Sequence, residues 1–125
     1  MKLGFFIAIL SAGICLGTIA HAQLAPTGEF KNTYAKELGN FETQLKAGKQ
    51  MEAERSYQVL LQMHKKHRQQ LEVLLKKTTD KEENGAIAER IMDEDIRAAQ
   101  LKEMSNDMMA NKKEILEEMN SFLDE

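Results

Sequence analysis

The chain has 125 residues with a single proline, no tryptophan, 6% aromatic and 30% charged residues. That length allows one domain at most, and the composition fits a β-sandwich or a doubly wound α/β enzyme poorly. Abundant Met, Leu, Lys, Glu and Gln favour helices, and a net charge of −3 is too mild to point to nucleic acid.

Residues 1–22 read as a secretory signal peptide. Met1-Lys2 is a minimal positive start, Leu3 to Leu16 is almost unbroken apolar sequence, and Ala20-His21-Ala22 supplies the small-x-small pattern of a cleavage site. An uncleaved anchor is the competing reading, because Leu3 to Ala20 carries no charge and is just long enough to span a bilayer. Cys15 follows Ile14 rather than a small residue, so lipidation is not expected. Cleavage before Gln23 removes the only cysteine and with it any thiol chemistry. The remaining chain is expected to be exported, periplasmic or secreted, without stable membrane insertion.

Residues 23–28 are expected to be a flexible lead-in, broken at Pro26-Thr27-Gly28. From Phe30 the apolar residues Tyr34, Leu38, Phe41 and Leu45 return at steps of three or four, one face of an amphipathic helix. The expected bounds are 29–47, with Gly48 as terminator. A second stripe of Tyr57, Leu60, Leu61, Leu71, Leu74 and Leu75 predicts a helix over 50–78. Extending the first stripe through Gly48 lands on Glu52 and Arg55, so the phase breaks there.

Thr79-Asp80-Lys81-Glu82 fits a capping box for a third helix, with Thr79 as cap and Glu82 reaching back. The expected helix runs 80–123. Its main stripe is Ile87, Ile91, Ala98, Leu101, Met104, Met108, Ile115, Met119 and Phe122, and Met92, Ile96 and Ala99 form a shorter second strip. Two strips on one helix call for two neighbours.

The signs of charge are segregated. Lys31 to Lys77 carries ten basic and five acidic residues, and Asp80 to Glu125 carries six and fourteen. Opposed halves suit an antiparallel pairing. The expected fold is all-α, an elongated antiparallel helical hairpin or three-helix coiled-coil-like bundle over 29–125. A third helix of about 43 residues spans roughly 64 Å, more than its partners cover. That surplus predicts an apolar contact face of Met104, Met108, Ile115, Met119 and Phe122.

No nucleophile triad, phosphate loop or nucleotide fingerprint is present, so an enzyme is not expected. His64 and His67 are one turn apart inside the apolar arc of the second helix, and Glu94 interrupts the stripe of the third. With the hairpin turn at 78–81, Glu94 falls beside residues 64–68, and the three side chains make a candidate site for zinc or a similar ion. With the turn at Asn84-Gly85, Ser105 replaces Glu94 and the site dissolves. Met63 beside His64, and the cluster Met104, Met108 and Met109, raise copper(I) as the soft-metal alternative. The plainer readings are packed histidines, a pH-sensitive His–Glu contact and methionines filling a core.

The functional expectation is an exported, non-enzymatic, chaperone- or adaptor-like protein. It binds a protein partner or itself through the Met-rich face, without nucleic acid or a resident cofactor. The alternative is an envelope metal- or pH-sensing protein using His64, His67 and Glu94.

Overall fold

A computed structural model of the chain describes residues 24–125. The expected signal peptide lies outside the described residues. The fold is all-α, with α1 (Gly28–Lys46), α2 (Gln50–Lys77), α3 (Lys81–Met104), a 3₁₀ turn (Ser105–Asp107) and α4 (Lys112–Leu123). No helix among the described residues is long and apolar enough to cross a membrane.

α1 begins where the Thr27 hydroxyl accepts from the Phe30 amide at 3.2 Å. It ends in a Schellman turn. Gly48 adopts φ +73°, its N–H donates to the Leu45 carbonyl, and the Lys49 N–H donates to that of Gln44. α3 is capped one residue later than the sequence pattern predicts, by Asp80, whose carboxylate accepts from the Glu83 amide at 2.9 Å. Thr79-x-x-Glu82 and Asp80-x-x-Glu83 both satisfy the capping pattern. Asp adds a full negative charge at the positive end of the helix dipole, and the Thr78–Asp80 connection selects the earlier of the two turn positions.

The expected continuous helix over 80–123 is not found. Ser105, Asn106 and Asp107 bring side chains that compete for the backbone. The Ser105 hydroxyl donates to the Lys102 carbonyl at 2.7 Å, and Asp107 Oδ1 accepts from the Ala110 amide at 3.3 Å. Carbonyls at the end of α3 also take side-chain donors. Asn111 Nδ2 reaches Met104 O at 3.0 Å, and the Tyr57 hydroxyl reaches Leu101 O at 2.6 Å from across the bundle. The chain reverses here, giving four helices instead of three.

Pairings across the bundle fix its topology. Tyr34 meets His64 and Phe41 meets Tyr57, Arg68 meets Asp95, and Arg97 meets Glu118. Each set folds symmetrically about its connection, so the helices run up-down-up-down. α1 contacts α2, α2 contacts α3, α3 contacts α4, and α4 returns to α1.

Folding back α4 disposes of the apolar surplus. Met108, Ile115, Met119 and Phe122 are buried against Tyr34, Leu38, Phe41, Tyr57 and Leu60, with Met104 packed on the same cluster. The ridge expected to contact another chain is therefore internal. A second, smaller cluster of Leu71, Ile87 and Ile91 lies beyond the reach of α4. Leu24 packs on that cluster and Pro26 is buried, so the expected flexible lead-in is partly docked.

Ala at position 48 meets no steric neighbour but retains the left-handed φ, which costs a non-glycine residue roughly 1–2 kcal/mol. Gly48→Ala is expected to lower the urea-unfolding free energy by that amount with an unchanged m-value.

Candidate functional site

Between the two apolar clusters lies a polar layer. Along α2 the inward residues run Leu60, His64, His67, Leu71, and along α3 they run Ile87, Ile91, Glu94, Arg97, Leu101. His64, His67, Glu94 and Arg97 are 6, 2, 3 and 8% exposed. All four helices reach this layer.

The Tyr34 hydroxyl and His64 Nε2 are 2.6 Å apart. Burial pushes the Tyr34 phenol far up, with Glu94 and Glu118 adding to the shift and Arg97 opposing it. The hydroxyl therefore keeps its proton, and the His64 tautomer sets which of the two groups donates. On the other side of the ring, His64 Nδ1 is 3.7 Å from Glu94 Oε1. That separation is too long for a hydrogen bond, and neither atom has another partner.

Glu94 turns its other oxygen to Arg97 Nη1 at 2.6 Å. Burial alone raises the Glu94 carboxyl, but His64 and the Arg97 guanidinium outweigh it and hold it below the usual carboxylate range. Arg97 also donates from Nε to Glu118 at 3.1 Å and from Nη2 to Glu125, which in turn pairs with Arg90. The guanidinium carbon sits 5.2 Å from the centre of the Phe122 ring. The same ring lies 4.4 Å from His64, 4.8 Å from Tyr34 and 5.6 Å from His67, centre to centre. Burial pushes the His67 imidazole down more strongly than nearby Glu94 pushes it up.

The structure thus places His64 and Glu94 face to face, with His67 in the same layer. Among the described residues no group of three or more His, Cys, Asp or Glu side chains is arranged to hold an ion. His64 Nε2 is bonded to Tyr34, and a guanidinium cation occupies the second oxygen of Glu94. Met63, the expected soft ligand, packs on the larger apolar cluster with Met104 and Met109. His64 Nδ1, His67 Nε2 and Glu94 Oε1 are buried without a hydrogen-bond partner.

Tyr34, His64 and Glu94 follow the order of a nucleophile relay, but Tyr34 is fully buried and its proton is held. Three surface grooves among the described residues are lined by other side chains. The cluster acts as an ion-paired lock. Arg97, Glu118 and Glu125 are the members that sequence patterning misses. Positions 97 and 98 both fit the inward phase, and hydropathy selects Ala98, which the structure leaves exposed.

No protein-family model, curated protein or solved structure matches the chain.

Removing Glu94 takes one of three carboxylates from the buried Arg97 and leaves its Nη1 unpaired, and Glu94→Ala is expected to cost about 1–3 kcal/mol. Tyr34→Phe removes one hydrogen bond and is expected to cost about 1–2 kcal/mol. Chemical denaturation at pH 7 measures both.

Acid weakens the fold at two residues in the same direction. His67 is depressed from 6.5, so below that pH the unfolded chain binds more protons than the folded one and stability falls. Glu94 is depressed from 4.5, and its contribution, full above that value, disappears as pH drops through the lower folded value. The urea midpoint should decline below pH 6.5 and again below 4.5. His67→Phe should abolish the first decline and keep the second; an unchanged profile contradicts the assignment.

Proposed function

We propose that this is an exported, non-enzymatic helical protein that binds another protein chain, and that its contact surface is the outer strip of α3. The observation that carries the reading is the exposure of Met92 (62%) and Ile96 (52%). They lie one turn apart, and exposed Ala88 and Ala99 extend the strip in both directions. The chain buries its longer Met-rich ridge yet leaves this second strip in water. Methionine adapts to varied apolar surfaces, and an i, i+4 apolar pair is the usual anchor of helix-on-helix recognition.

Exposed Glu82, Glu89 and Asp93 run along one flank of the strip. The partner is accordingly an apolar helix face bordered by basic residues. A partner of that kind is steered by charge and held by the apolar contact.

Met92→Asp combined with Ile96→Asp tests the reading. Both positions are exposed and uninvolved in the polar layer, so stability should change by no more than about 0.5 kcal/mol. The wild-type protein is expected to retard aggregation of reduced lysozyme, a basic unfolded chain, and the double variant to lose that ability. Equal protection by the variant contradicts the assignment.

A further inference from the structure

We infer that the partner this strip fits is a second copy of the same chain, bound through the outer face of α2. The inference rests on the proposed role of the α3 strip and names its occupant.

The outer face of α2 has the complementary chemistry. Val59 (46%) and Val73 (50%) are exposed, and Lys66 lies midway between them on the same face. The heptad spacing of 59, 66 and 73 keeps these three side chains in line along the helix. Exposed Arg55, Lys65, Lys76 and Lys77 surround the line. A shallow groove beside it is lined by Lys66, Gln69, Gln70, Val73, Leu74 and Lys77.

The α3 strip is apolar with an acidic flank, and the α2 strip is apolar with a basic one. Their lengths are comparable: Val59 to Val73 covers about 21 Å and Ala88 to Ala99 about 17 Å at 1.5 Å per residue. Within one molecule the two strips do not meet, because both are exposed while the inward faces of α2 and α3 pack together through Leu71, Ile87 and Ile91. A second copy brings them together. Met92 and Ile96 then lie over the aliphatic stem of Lys66, between the two valines, and the Lys66 ammonium reaches out to Glu89 or Asp93. Across a two-fold axis the contact forms twice, since each copy offers both faces.

Charge reversal distinguishes this pairing from nonspecific association. One variant carries Lys65→Glu and Lys66→Glu, making both strips acidic. The other carries Glu89→Lys and Asp93→Lys, making both basic. Sedimentation velocity of the purified wild-type protein in the micromolar range is expected to show a dimer. Each variant alone should dissociate at least roughly tenfold more readily, two reversed pairs per contact being worth about 1.4 kcal/mol or more. An equimolar mixture should recover the dimer, because both acid–base pairings are then restored.

Failure of the mixture to recover, or a monomeric wild type, overturns self-association. The lysozyme assay separates the two readings. A monomer whose protection still depends on Met92 and Ile96 removes only the second-copy assignment, whereas a monomer without that dependence removes the proposed function as well.

Discussion

The Arg97 guanidinium is the contact on which the rest of the architecture depends. It is 8% exposed and pairs with Glu94 on its own helix, with Glu118 on α4 and with Glu125 just beyond it. Its flat face also rests near Phe122. A buried cation is costly unless every donor is engaged, and here the required acceptors come from an element that follows a chain reversal. α4 can satisfy Arg97 only when it is folded back. That same movement carries Met108, Ile115, Met119 and Phe122 into the core.

The polar layer also sets register. Apolar contacts between helices tolerate sliding by a turn, since one leucine replaces another at little cost. His64 must meet both Tyr34 and Glu94, and Arg97 must meet Glu118, so a slip of one turn in any pair strands buried polar groups. The layer therefore specifies one alignment of four helices, at a stability cost relative to an all-apolar interior. It also holds His67 and Glu94 with their affinity for protons lowered, so acid weakens the bundle.

Much of this was legible in the residue order. The steps from Phe30 to Leu45, the left-handed turn at Gly48 and the Thr78–Asp80 connection all follow from local chemistry, and equal counting from that connection places Glu94 opposite His64. The break at Ser105-Asn106-Asp107 was less visible because apolar periodicity persists across it. Met104, Met108, Ile115 and Met119 read as one long stripe, while the signal for reversal lies in three short polar side chains and the Asn111 amide that caps Met104. Missing that reversal turns an internal ridge into an apparent docking face. Arg97 was obscured by the neighbouring Ala98, which hydropathy favours for the same inward position. Two of the three carboxylates that make this buried arginine tolerable are more than twenty residues away, beyond the range of any local pattern.

The most direct test of the account is hydrogen exchange of residues 112–123, followed by mass spectrometry at neutral pH in the native protein and in Arg97→Met. If the guanidinium holds α4 in place, the native segment exchanges as slowly as the centre of α2, and the variant exposes 112–123 while α2 keeps its protection. Rapid exchange of 112–123 in the native protein, or equal protection in the variant, would contradict the claim that Arg97 closes the bundle.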